Sequence, residues 1–485
     1  MISKILTKPD GAKEMAEVKK TLAAVKKIPN YAKYFAVTNY KRCEPGKLTE
    51  EDKKEFHYYC SGVLDTTPTA FNKDRGMYEL IVSPDMGSDL SDSIKEMVYQ
   101  KFKTSDQVQN VVKGLLKLNK ALTGTLKNGI VKLQKEGFYH SDIKPQNLMT
   151  DLVKEGQFSD GFNYVKVIDF GLARAQPTKY YMVNTFMLFN APMSSVLFDL
   201  KFAQDLNTKL YRTQQYEEAY MEKPKNDNEL SPGMLRVINN ECDDLAKSIV
   251  NGRKGHTDYL IDVLKATRTK FNKEKLIEML SNYLRAAINA SIITEAYKGM
   301  TYKRYSREAL WNNVYKYNLD VYGTLTYFLL LQMNIMLSKH AKTVPVLKNL
   351  AQECGKFCDK FLFDTKYAAE RFNMNEIYED IGKIDAILSD ALERGPTVIK
   401  VKKSVKWTLK KVAEKAAAKG EAQKAKTKAK AKAKPKPKSA LKKEKAKTVK
   451  IIQLDTVSLK GKRCPRGYRR FVADKNGTIK CRKHK

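Results

Sequence analysis

The chain has 485 residues, a formal net charge of +36 and 42% hydrophobic residues, enough apolar material for a sizeable core. The charge is uneven: 32 of the 90 lysines and arginines, but only 5 of the 54 acids, lie from Lys400 onward, so a mildly basic body carries a polycationic tail. Seven scattered cysteines without framework spacing exclude a disulfide-stapled scaffold, and no secretory signal is expected from Met1-Ile-Ser-Lys-Ile-Leu6, so the expected setting is intracellular and reducing.

In chain order, Ile2–Leu6 reads as a strand carrying Lys4, and Gly11–Lys27 as a helix carrying Glu14 and Glu17. Residues 30–76 are polar and broken by Pro45-Gly46 and Pro68, which predicts short strands joined by long loops. Tyr78–Val82 reads as a strand running into the turn Ser83-Pro-Asp-Met-Gly87. Val108, Val111, Leu115, Leu118, Leu122, Leu126, Ile130 and Leu133 recur at steps of three and four, the stripe of an amphipathic helix. That helix delivers the chain to Gly137–Arg174, where Tyr164–Ile168 is a short strand ending at Asp169. Residues 203–312 are charged and helical, with amphipathic helices expected over Met234–Ile249 and Leu260–Leu284. Leu319–Leu337 is apolar, but Asp320, Gln332 and Asn334 within it argue for a buried helix rather than a membrane span. Helical sequence from Ala341 to Glu393 ends at Gly395-Pro396, and Cys354 and Cys358, one turn apart, read as core thiols rather than metal ligands.

Two motifs carry chemistry: His140-Ser-Asp-Ile-Lys-Pro-Gln-Asn147 and Asp169-Phe-Gly171. Together they resemble the catalytic loop and metal-binding triplet of the eukaryotic-type protein kinase superfamily, and in particular the serine/threonine kinases of large double-stranded DNA viruses. The resemblance spans roughly residues 1–395 and is strongest over 130–175. It implies Asp142 as the base that accepts the hydroxyl proton and Lys144 as the neutraliser of the γ-phosphate. It implies Asn147 and Asp169 as Mg²⁺ ligands, with ATP as phosphoryl donor. By the same resemblance Lys4 would meet the α- and β-phosphates with Glu17 as its partner (Glu14, one turn earlier, is the alternative). Pro84, Asp85 and Met86 would hold the adenine edge, and Asp320 would cap the catalytic-loop backbone, with His140, Phe170 and Gly171 in support.

The chain departs from the family in four places. No glycine-rich hairpin precedes Lys4, so either the start is clipped or that hairpin has been lost. Ser141 stands where the family has an arginine that pairs with a phosphate on the activation segment, which uncouples Asp142 from phosphorylation of Thr178, Tyr180 or Thr185. Met193 replaces the acid of the Ala-Pro-Glu element, so its usual buried ion pair cannot form. Gly323 follows Asp320 earlier than the family pattern has it.

Lys400–Lys450 is a Lys/Ala/Pro polymer too poor in large apolar residues to fold, so disorder and salt-sensitive phosphate binding are expected. In the last 35 residues Asn476-Gly477 signals a hairpin, and Tyr468 and Phe471 lie among arginines, a small basic knuckle in which Cys464 and Cys481 are a disulfide or two thiols. The expected class is therefore α+β, a bilobal kinase-like fold with a reduced N-lobe over 1–86 and a C-lobe over 87–395. The C-lobe holds the insertion 203–312, followed by a disordered tail over 396–450 and a knuckle over 451–485. The expected function is an ATP- and Mg²⁺-dependent serine/threonine protein kinase of the host cytoplasm, nucleus or virion, whose tail meets nucleic acid or a nucleoprotein particle. The alternative is an inactive kinase fold that serves as a nucleic-acid-binding packaging protein.

Overall fold

The computed structural model describes residues 2–37, 40–59, 66–83, 86–150, 153–154, 157–158, 165–175, 187–220, 229–268, 270–297 and 300–395, with three strands between 456 and 483. The chain divides into two units, Met1–Lys400 and Val401–Lys485. It is a mixture of many helices and small sheets, an α+β architecture.

The first unit opens with β1 (Ile2–Thr7), which runs straight into α1 (Lys8–Val25) because Thr7 caps the helix and accepts from Asp10 N at 3.4 Å. After β2 (Lys41–Cys43) come α2 (Glu50–Tyr59), α3 (Pro68–Lys73) and β3 (Tyr78–Ser83). The central strand is β3, with β1 and β2 antiparallel on either side. The strands expected across 30–76 are therefore mostly helix. Thr49 and Asp52 exchange hydrogen bonds at the start of α2, and Thr67 with Pro68 opens α3, two helix-initiating signals inside a stretch read as loop. Phe56 and Phe71 pack there into a small core of their own with Ile5, Leu48 and Tyr78.

Gly87 takes φ 86°, a conformation that favours glycine, and leads into β4 (Ser88–Asp89) and α4 (Leu90–Tyr99). The amphipathic stripe becomes α5 (Ser105–Thr125), continued through a π turn at Leu126–Ile130 into α6 (Val131–Lys135). β5 (Phe138–Tyr139), β6 (Leu148–Thr150), β7 (Val153–Lys154), β8 (Gln157–Phe158), β9 (Lys166–Val167) and β10 (Arg174–Ala175) are short pieces. Of these, β4, β6 and β9 form one sheet, and β5 pairs with β10.

The stretch 203–312 is not all helix. It contains α7 (Leu200–Tyr220), α8 (Pro232–Asn251), α9 (Thr257–Thr267) and α10 (Lys273–Asn289), then a hairpin of β11 (Ile292–Tyr297) and β12 (Met300–Tyr305). The single helix expected over Leu260–Leu284 is two, because Lys270 adopts φ 58° and Asn272 caps a new helix through Lys275 N at 3.0 Å. α11 (Arg307–Leu310) precedes α12 (Lys316–Leu337), which has 18 of its 22 residues buried. Its polar members are satisfied: Asn318 donates to Tyr367 O at 3.0 Å and Glu370 O at 2.8 Å, and Tyr327 donates to Asn119 at 2.8 Å. α13 (Pro345–Cys358), α14 (Lys366–Ala369) and α15 (Met374–Arg394) close the unit around one continuous core. Cys354 and Cys358 lie in that core, and burial pushes both thiols up. Among the described residues no helix is long and apolar enough to cross a membrane.

The second unit contains β13 (Thr456–Lys460), β14 (Tyr468–Ala473) and β15 (Thr478–Lys483), an antiparallel sheet with β15 in the middle. The Lys/Ala/Pro stretch, Cys464 and the side chain of Cys481 lie outside the described residues.

Candidate active site

The loop His140–Asn147 is held from below by α12. Asp320, buried in that helix, accepts from the backbone N–H of His140 and of Ser141, both at 2.8 Å. Burial pushes its carboxyl above the usual carboxylate range, against the pull of His140 and of those two amides. Ser141 adopts φ 66°, so the loop turns sharply at this anchored point. Gly323, one turn along α12, touches the loop directly: a Cβ there would overlap the Ile143 carbonyl oxygen and lie 3.0 Å from Asn190 O. The missing Cβ is what lets the helix seat against the loop.

His140 is wholly buried, and burial lowers its pKa. One ring nitrogen, Nε2, lies 2.9 Å from Ile168 O, and the other accepts from Asp142 N at 3.3 Å. With a carbonyl opposite Nε2, that nitrogen carries the proton, which leaves Nδ1 as the acceptor. Phe170 packs edge-on against the same ring at 4.7 Å, and Ile168 N donates to Asn147 O at 3.0 Å. The loop and the Asp169-Phe-Gly171 turn are thereby one assembly.

The Asp142 carboxylate stands in a socket of donors. Lys144 Nζ donates to it at 2.8 Å, Asn147 Nδ2 at 3.1 Å and Asn190 Nδ2 at 2.9 Å. Asn147 Nδ2 also donates to Asp142 O at 2.8 Å, and Asn190 Nδ2 to Ile143 O at 3.1 Å. Asn190 did not come out of the sequence reading. Its signal was an amide embedded in apolar sequence between Phe189 and Ala191.

On the other side of the triplet, Lys4, Glu14, Glu17, Tyr40, Asp169 and Gly171 line one cavity of about 270 Å³. The Tyr40 phenol is raised by burial and by the nearby Glu14 and Asp169 carboxylates. Here the structure corrects the pairing: Lys4 meets Glu14 at 2.6 Å, while Glu17 is taken by Lys20 at 2.9 Å. The helix starts at Lys8 rather than Gly11, with no loop after the strand, which leaves Glu14 level with Lys4. Of the residues expected at an adenine edge, Pro84 and Asp85 lie outside the described residues and Met86 is half-buried. Thr178, Tyr180 and Thr185 lie outside them too.

Asp169 is exposed at the end of the buried strand pair, in a left-handed conformation with φ 59°. Asn147 donates through Nδ2, which leaves its Oδ1 for a cation, and Asp169 receives no side-chain or backbone hydrogen bond from any described residue. This donor set of one amide oxygen and one carboxylate fits Mg²⁺, which keeps waters and phosphate oxygens in its shell. Among the described residues no cluster of three or more His, Cys, Asp or Glu could hold a metal by itself.

No family model matches this chain, and no curated protein matches it.

Proposed function

We propose that the chain is an ATP-dependent serine/threonine protein kinase with a bilobal kinase-like fold. The observation that carries this reading is the Asp142 socket, in which a carboxylate is fixed by Lys144, Asn147 and Asn190 on a loop whose backbone a buried Asp320 anchors. Asp142 takes the proton of the acceptor hydroxyl as its oxygen bonds to the γ-phosphorus and the bond from that phosphorus to the bridging oxygen breaks, releasing ADP. Lys144, within reach of Asp142 and one-third exposed, turns to the transferring phosphoryl group and offsets its charge. Lys4, in the cavity with Asp169, holds the donor's inner phosphates, and Glu14 fixes the lysine. A Mg²⁺ bound by Asn147 and Asp169 would neutralise phosphate charge and align the donor.

The tail is a nucleic-acid or nucleoprotein anchor. Its composition supports this, because a lysine-rich segment neutralises phosphates without reading base sequence. Calorimetric titration with ATP tests the catalytic reading. Binding should require Mg²⁺ and be lost in Asp169→Asn; tight binding that ignores both would remove the assignment.

A further inference from the structure

The segment 187–199 carries Asn190 to Asp142; Met193 brings no charge to it, and Ser141 offers no cation for a phosphate. Residues of the 203–312 stretch bond it at both ends. At one end, the α8–α9 turn meets it: His256 N donates to Met187 O at 2.7 Å, and Phe189 N donates to His256 Nδ1 at 3.2 Å. Phe189 packs edge-on against Tyr259 of α9 at 4.9 Å. At the other end, Tyr305 OH donates to Leu197 O and Arg307 Nη1 to Phe198 O, each at 3.0 Å. Tyr305 is itself fixed to α7, because Asn207 bonds its N–H and its carbonyl at 2.8 and 3.0 Å.

The turn is shaped for this contact. Gly255 adopts φ 63°, and a Cβ on it would overlap Met187 O, so glycine is required twice over. Arg253, before it, sits at φ 50° where helices usually end on glycine, and Lys254 N closes the helix on Ile249 O at 3.1 Å. The backbone is bent so that His256 arrives with both its N–H and its ring nitrogen facing the segment.

We infer that His256 is a positioning residue: the α8–α9 turn holds Asn190 against Asp142 through uncharged contacts, without an ion pair or a phosphate. This rests on the kinase reading for its consequence, though not for the brace itself. Catalysis then needs no phosphorylation of the chain, and the insertion is part of the catalytic apparatus.

Two readouts on the full chain test this, for wild type, His256→Ala, His256→Asn and Gly255→Val. The first is amide hydrogen exchange over 187–193, which does not depend on activity. The second is steady-state phosphoryl transfer to casein after phosphatase treatment. The brace predicts faster exchange in His256→Ala and Gly255→Val. It predicts kcat lower by on the order of tenfold or more with KM for ATP unchanged, and recovery of both readouts in His256→Asn, whose side-chain oxygen reaches the place of Nδ1. Unchanged exchange in His256→Ala and Gly255→Val would overturn it, as would full loss of wild-type transfer on dephosphorylation. Wild type that transfers nothing even before phosphatase treatment would remove the kinase reading, while exchange still decides the brace.

Discussion

Gly323→Ala is the sharpest single perturbation of the His140–Asn147 loop, because it adds one methyl group where α12 meets Ile143. In an open helical site the change should stabilise by about 1 kcal/mol, since alanine loses less backbone entropy than glycine. At Gly323 the new carbon would overlap Ile143 O and lie 3.0 Å from both Asn190 O and Ile143 C, where 3.4 Å is ordinary contact. Both neighbours are backbone, so no side chain can swing aside, and helix or loop must shift by on the order of 1 Å. Overpacking of this kind costs about 1–3 kcal/mol, which cancels or exceeds the propensity gain and leaves a net loss of roughly 0–2 kcal/mol. The larger effect falls on catalysis. Ile143 follows Asp142, and a displacement of about 1 Å at a reacting group can cost about 100-fold in rate. Gly382→Ala in α15 is the control, because nothing lies within 4 Å of a Cβ there; it should stabilise by about 0.5–1 kcal/mol and leave kcat alone. Denaturant unfolding and steady-state transfer to casein measure both. If Gly323→Ala behaves like Gly382→Ala in stability and rate, the close seating of α12 on the loop is wrong.

Asp320→Ala leaves the buried His140 amide and the half-buried Ser141 amide without their acceptor, at about 1–3 kcal/mol for the buried one, and should lower both the unfolding free energy and kcat; equal stability to wild type would contradict the anchoring role. Asn190→Ala removes one of three donors to Asp142 and should lower kcat about tenfold or more with KM for ATP unchanged, measured by initial rates. Glu14→Gln should raise KM for ATP more than Glu17→Gln does, since Glu14 is the partner of Lys4; the reverse order would restore Glu17 to that place. Deleting residues 401–485 should abolish retention on a DNA column and its salt sensitivity, without changing turnover of a small peptide acceptor.

What was legible in the sequence and what was not follows from distance along the chain. His140 to Asn147 is a local pattern, so its resemblance to a known loop was visible in the sequence, and the roles expected of its residues and of Asp320 came with that resemblance. Asn190 is 48 residues from Asp142 and His256 is 67 from Phe189; no local periodicity connects such pairs, and only the packed fold brings them together. The Lys4 partner was ambiguous because Glu14 and Glu17 are one turn apart, and the deciding fact, that Thr7 starts the helix without a loop, is a capping detail. Polar composition hid α2 and α3, in which Phe56 and Phe71 are buried but are too few to repeat as a stripe. The break between α9 and α10 depends on a left-handed Lys270, which no propensity favours.

The most direct measurement is transfer of label from γ-labelled ATP to casein by the full chain with Mg²⁺, beside Asp142→Asn, followed by phosphoamino-acid identification. The account predicts phosphoserine and phosphothreonine with wild type and loss of at least 100-fold in the variant. Absence of transfer by a folded wild-type chain, or transfer that survives Asp142→Asn undiminished, would contradict it.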